Sequence, residues 1–138
     1  MLGVVYAPAI KRMFYGAAGL GAWVEDEQGT RLITVRPVPE EGLTVVASRS
    51  HAAPEALAAF LDGETIAHLR NAGSSLKICL VAAGEADLYP RLGRTMEWDI
   101  AAGHAVVRAA GGRLTDLDGA EMGYGKAGFE NPHFLVRG

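Results

Sequence analysis

Met96-Glu97-Trp98-Asp99-Ile100-Ala101-Ala102-Gly103 is the stretch on which the reading of this chain turns. Asp99 stands before an apolar run, Ile100 to Ala110, that ends in Gly111-Gly112. That pattern predicts a helix opened by an aspartate and closed by glycine. A carboxylate in that position has two uses. It can cap the free amides of the first turn, or it can hold a hard divalent cation while those amides face a phosphate. Glu97 is either a further oxygen ligand or a neighbour that supports the site. Just upstream, Ala86 to Tyr89 reads as a short strand ended by Pro90, and Arg91 and Arg94 follow it. A guanidinium fork suits phosphate because it binds two oxygens at once. Either arginine alone also fits a solvated loop.

Further upstream, Gly73-Ser74-Ser75-Leu76-Lys77 places a glycine and two hydroxyls before a second apolar helix, Leu76 to Ala83, stopped by Gly84. The spacing of Ser74 and Lys77 predicts that they share a face. Lys77 is the only charge among Leu, Ile, Cys, Leu and Val. Two readings remain open here: an anion held at the helix start, or an ordinary N-cap with a lysine that snorkels to solvent. His51 lies in Ser48-Arg49-Ser50-His51, just after an apolar strand, where a loop histidine is as readily plain surface as a ligand contact.

The remaining elements read in order. Val4 to Tyr6, Arg12 to Tyr15, Ala22 to Glu25 and Arg31 to Val35 alternate as strands, broken at Pro8, Gly16 to Gly21 and Gln28-Gly29, so the first 36 residues predict an antiparallel meander. The chain opens inside the first of these strands, which reads as an internal start. Leu43 to Ala47 predicts a strand buried on both faces. Ser50 predicts the cap of a helix with Pro54 in its first turn and Leu57, Phe60 and Leu61 on one side. Arg113 to Thr115 and the residues after Gly119 predict a hairpin around Asp118-Gly119, with a last strand at Phe134 to Val136. Strands followed by alternating helices and strands predict an α/β class: a layered sandwich with a mixed sheet and flanking helices, residues 1–138 forming a single domain.

Composition narrows the functions. Of 138 residues, 49% are hydrophobic, enough for a core, yet no apolar run reaches the roughly 18 residues of a membrane span. The net charge of −3, with mixed signs, argues against a broad nucleic-acid surface. The single cysteine, Cys79, cannot form an internal disulfide, which fits a reducing, cytoplasmic setting. It lies in an apolar helix and reads as core. Asp116 and Asp118 read as a turn, and Gly16, Gly19 and Gly21 precede no helix, so they are not a phosphate loop.

Together, Gly73-Ser74-Ser75-Leu76-Lys77, Glu85-Ala86-Asp87-Leu88-Tyr89-Pro90-Arg91 and Glu97-Trp98-Asp99-Ile100-Ala101-Ala102-Gly103-His104-Ala105 resemble the C-terminal signature of the inositol monophosphatase superfamily. Trp-Asp-x-Ala-Ala-Gly is its most specific element. Ser48-Arg49-Ser50-His51, Ser75-Leu76-Lys77, and Tyr124-Gly125-Lys126 through Asn131-Pro132 resemble its CysQ-type 3'(2'),5'-bisphosphate nucleotidase branch. The resemblance implies the C-terminal half of that fold, and a Mg²⁺-dependent phosphomonoesterase that removes the 3'-phosphate of adenosine 3',5'-bisphosphate, a by-product of sulfate assimilation. It implies Asp99 as a ligand of catalytic Mg²⁺ that also helps hold the phosphate. It implies Ser74, Lys77 and Arg91 as contacts to the nucleotide, and His51 near its base or ribose. Peripheral association with the inner membrane also fits the branch.

The chain departs from the family in one respect. The family's upstream Glu-Glu pair and its Asp-Pro-x-Asp-Gly-Thr motif, which supply most metal ligands, do not occur here. Glu40-Glu41 sits in a proline-rich loop past the place of that pair. An inactive fragment is therefore expected, with its truncation face exposed and prone to self-association. Two alternatives stand beside it: an inositol phosphate or fructose bisphosphatase relative, and a non-catalytic module that binds a nucleotide or sugar phosphate.

Overall fold

The computed structural model describes residues 1–48 and 54–138. The predicted meander is present as a four-stranded antiparallel sheet: β1 (Leu2–Ala7), β2 (Arg12–Ala17), β3 (Gly21–Asp26) and β4 (Gly29–Ile33), in that spatial order. Period-two alternation sorts its residues between two faces. The rows Gly3–Gly16–Ala22–Ile33 and Val5–Phe14–Val24 face inward. The fourth strand ends at Ile33, earlier than Val35, because the Val35 amide instead bonds the carbonyl of Ala110 at 3.1 Å.

The second sheet has the order β6-β5-β7-β11-β9. Its strands are β5 (Leu43–Ala47), β6 (Ile66–Asn71), β7 (Leu88–Arg91), β9 (Arg113–Asp116) and β11 (Phe134–Arg137), with β8 (Thr95–Met96) and β10 (Glu130–Asn131) forming a separate short pair. β5 runs parallel to β6 and β7, and β11 runs antiparallel to β7 and β9, so the sheet is mixed as expected. β5 is buried along nearly all of its length. β7 differs from the predicted strand in running through Pro90 to Arg91. Proline is tolerated there because β5 pairs with β7 at Val45–Leu88, before the missing amide.

Among the described residues three α-helices accompany the strands: α1 (Pro54–Phe60), α2 (Leu76–Ala82) and α3 (Glu97–Ala109). α1 confirms the predicted helix, while its predicted cap, Ser50, lies outside the described residues, as does His51. α2 and α3 pack together between the two sheets. Their shared core holds Phe14, Val24, Ile78, Val81, Val106, Val107, Leu114 and Phe134. Close approach of α3 to β1 requires Gly3, where a Cβ would run into the carbonyl of Ala102. Gly84 ends α2 with φ +72°, the left-handed turn that glycine adopts without cost.

Two polar ties fix the layers. Arg12 of β2 donates to Glu85 beyond α2, and Arg36 forks onto Asp87 at 2.9 Å through both Nε and Nη2. Burial alone would raise the Asp87 pKa, but the Arg36 fork and the Thr44 amide outweigh it and hold the carboxylate below its ordinary range. The predicted hairpin after β9 is present, with Asp116 Oδ1 accepting from the amides of Asp118 and Ala120. Both carboxylates thus belong to a turn, as expected.

Candidate active site: a phosphate-sized cleft with one carboxylate

β7 and the starts of α2 and α3 enclose a cavity of about 210 Å³ lined by Ser74, Ser75, Ile78, Tyr89, Arg91, Thr95, Asp99 and Ile100. Three of the residues singled out in the sequence, Ser74, Arg91 and Asp99, are brought together here. Sequence reasoning passed over Thr95, Tyr89 and the two isoleucines. The Thr95 oxygen accepts from Asn131 Nδ2 at 3.1 Å, so the pairing of β8 with β10 is what carries it. Asn131-Pro132 was legible as a family element, but nothing local marks Thr95.

α3 begins three residues earlier than expected. Its N-cap is Met96, and Asp99 is the third helical residue. Asp99 does not cap the amides ahead of it. Its Oδ2 accepts from the Met96 amide behind it at 2.8 Å, the return half of a capping box. Glu97, one turn position away, points elsewhere. Its carboxylate accepts from the amides of Gly125 and Lys126 at 3.0 and 2.9 Å and pairs with Lys126 Nζ at 2.9 Å. These bonds, the backbone amide of Gly125 first, hold its pKa at about 2. Glu97 is a clasp for the loop that follows β9 and does not line the cavity.

Ser74 adopts φ +50°, an uncommon left-handed conformation for a residue with a side chain, at the mouth of the site. Ser75 occupies the N-cap of α2 without a side-chain cap bond. The expected hydroxyl cap is therefore absent, because the turn is closed by backbone bonds from Lys77 and Ile78 to Ser74 and Ser75.

Lys77 corrects the expectation most. It does not snorkel to solvent. Its side chain is 1% exposed, with Nζ donating to the carbonyl of Ala72 at 3.0 Å and lying 5.1 Å from the centroid of the Tyr89 ring. Desolvation, aided by the charge of Arg91, brings its pKa down to about 8. Lys77 thus lies beneath the cavity wall.

Arg91 carries the clearest electrostatic signal. Its Nη2 donates to the carbonyl of Arg94 at 3.0 Å, while its Nε is buried and has no acceptor among the described residues. Buried donors are rarely left so. Arg94 is turned outward, in an exposed pair with Glu130 at 3.3 Å. Cys79 is fully buried, its thiol pushed up to about 12 by burial, so it is core.

Mg²⁺ needs several converging oxygens. Among the described residues, no three His, Cys, Asp or Glu side chains converge, and one oxygen of Asp99 already takes an amide. The donors among the described residues do not by themselves fit a Mg²⁺ site. A larger hollow of about 630 Å³ on the other side of the second sheet is a poorer candidate, since Asp87 occupies the Arg36 fork and Gly119 takes a bond from Arg113.

Comparison with known proteins agrees with this geometry. A model of the inositol monophosphatase family matches residues 1–134. The 3'(2'),5'-bisphosphate nucleotidase CysQ of Salmonella typhimurium is 45% identical over 137 residues, covering 99% of this chain and 54% of that protein. The CysQ of Shigella flexneri is 46% identical over the same coverage. The crystal structure of CysQ from Bacteroides thetaiotaomicron superposes with a TM-score of 0.86 at 34% identity, over 99% of this chain and 57% of that one. The chain spans about half the length of the curated relatives it matches. Among the described residues no helix is long and apolar enough to cross a membrane. Family model, relatives and superposition agree over nearly every residue, and the chain belongs to the inositol monophosphatase family.

Proposed function

We propose that this chain forms the phosphate-holding part of a phosphomonoesterase that removes the 3'-phosphate of adenosine 3',5'-bisphosphate in the cytoplasm. The observation that carries this reading is the buried Nε of Arg91, without an acceptor among the described residues, in the wall of a cavity that also presents Ser74, Ser75 and Asp99. A phosphate oxygen supplies the missing acceptor, and a guanidinium bond to phosphate is of the strong, charge-assisted kind. The serine hydroxyls add neutral donors. Asp99, with one oxygen anchored by the Met96 amide, has the other available at the cavity. Similarity to the CysQ nucleotidases, at 45% identity, supports the choice of a bisphosphate nucleotide as substrate.

In this reading Lys77 acts from beneath. It fixes the Ala72 carbonyl, and so the turn that carries Ser74, and it adds positive potential under the cavity. Mg²⁺ dependence belongs to the whole protein, in which other oxygen donors join Asp99. With one carboxylate, the isolated chain is expected to bind phosphate and to release none from the nucleotide.

Titration calorimetry with adenosine 3',5'-bisphosphate tests this, with Arg91→Ala as the control. Binding by the parent chain and at least a tenfold loss in the variant are expected. Equal binding by both would remove the reading, and steady phosphate release by the isolated chain would overturn its incompleteness.

A further inference from the structure

Thr95 joins the cavity wall with its oxygen already engaged. It is 7% exposed and stands directly opposite Asn131, 6% exposed, in the β8–β10 pair. Asn131 Nδ2 donates to Thr95 Oγ1 at 3.1 Å, and among the described residues no other side-chain bond reaches that hydroxyl. A threonine hydroxyl has one proton to give and two lone pairs. With a lone pair taken by the amide, the proton is left for another partner, and the open space beside Thr95 is the cavity. Asn131 Oδ1 is also buried and has no partner among the described residues. Turning the amide over would give Thr95 an acceptor there. It would also strand N–H donors in place of one carbonyl, the rarer and costlier defect at a buried position. Asn131 is fixed from both directions along the chain. Glu97, next after β8, clasps the loop before β10 through the amides of Gly125 and Lys126, and Pro132 favours an extended residue before it.

We propose, resting on the functional reading above, that Thr95 is a phosphate-binding residue of this cavity and Asn131 its positioning residue. The amide donates to the hydroxyl, and the hydroxyl donates to an ionised phosphoryl oxygen. In such a chain each bond polarises the next, so the pair does more than either group alone. The neutral donor complements Arg91, which brings the charge, and it faces the anion without adding a second cation beside Asp99. The ligand class this favours is a phosphomonoester dianion. Its terminal oxygens all accept, so one molecule can satisfy the Thr95 hydroxyl and the Arg91 Nε together.

Sulfate, a tetrahedral dianion with no proton of its own at neutral pH, is the probe, titrated into this chain at fixed pH and ionic strength and followed by NMR. Thr95→Val keeps the shape and removes the hydroxyl, and should weaken sulfate about tenfold, the worth of one hydrogen bond to a charged group. Thr95→Ser, which restores the hydroxyl, should bind within about twofold of the parent. Asn131→Ala should weaken sulfate in the parent and cost nothing more in the Thr95→Val background, because a residue that acts through Thr95 has no separate contribution. A residue of merely structural importance would change unfolding and leave that cycle additive. Additive losses would therefore remove Asn131 from the role, and a Thr95→Val variant that holds sulfate like the parent would overturn the whole inference. The Thr95 pair of variants decides the matter even where Asn131→Ala does not fold. Arg91→Ala tells the two readings apart. Sulfate lost there but kept in Thr95→Val sinks this inference alone, and a parent that binds no sulfate, or Arg91→Ala binding like the parent, sinks the functional reading with it.

Discussion

The two sides of the α3 start differ in how their polar groups are satisfied. On one side lies the loop that follows β9. His104, 1% exposed, binds Glu121 through Nε2 at 2.8 Å and the Tyr124 hydroxyl through Nδ1 at 2.6 Å. Burial, with the charges of Glu97 and Glu121 adding to it, pushes the Tyr124 hydroxyl up to about 12. Glu97 then closes the same loop onto Lys126. On the other side lies the cavity, where the Arg91 Nε lacks an acceptor among the described residues, Ser74 holds a left-handed backbone and neither serine hydroxyl caps α2. A saturated network holds a structure in place. An unsaturated one is poised for a ligand, and its strain persists because the surroundings impose it. Glu97 and Asp99 sit two residues apart and fall on opposite sides of this division.

Breaking the saturated side should cost the most. His104→Ala strands Glu121 and Tyr124 and leaves a hole beside α3, so a loss of about 2–3 kcal/mol in urea unfolding is expected. A loss below about 0.5 kcal/mol would show that the network is ornamental.

Lys77 comes next. Its folded pKa, about 8, lies below the ordinary 10.5, so the unfolded chain holds the proton more tightly. Stability should therefore rise as the pH climbs from 8 to 10.5, by an amount on the order of 2 kcal/mol. Lys77→Met should lack that rise, and parallel curves for the two proteins would remove this account of Lys77.

Glu97 gives the converse sign. Its folded pKa is about 2 against an ordinary 4.5, so its contribution is complete above 4.5 and fades as the pH falls toward 2. Glu97→Gln should unfold at lower temperature than the parent at neutral pH, and the gap should close on acidification. A gap that stays constant with pH would show that the clasp is not electrostatic.

The smallest stability effect belongs to the cavity. Arg91→Ala should change unfolding by no more than about 0.5 kcal/mol, since the side chain gives up one bond and one orphaned donor. In the parent, phosphate well above its dissociation constant should raise the unfolding midpoint, and Arg91→Ala should remove that shift.

The meander was legible because Val5, Phe14 and Val24 alternate with outward residues, a period that no helix reproduces. α3 was legible from its apolar run, though its start was not. Met96 has no capping preference, and the cap bond comes from Asp99 reaching back. β6 went unread because five of its six residues are His68, Arg70, Asn71 or small and half-exposed apolar ones, on an edge where burial imposes no alternation. The pairing of β8 with β10 was invisible for a different reason: two-residue strands have no period at all. Within the site, Ser74, Arg91 and Asp99 were readable from residue type and motif. Thr95 was not, because its place depends on a partner 36 positions away.

From the chain itself followed the strand alternation, the helix interiors, the family motif around Asp99 and the shortage of carboxylates, since each depends on neighbours within a few residues. Only the folded arrangement decided that Lys77 would be buried under Tyr89, that Glu97 would turn to Lys126 while Asp99 faced the cavity, and that Thr95 would stand opposite Asn131. Burial, side-chain direction and register are set by what packs against a residue, and its packing partners lie far along the chain.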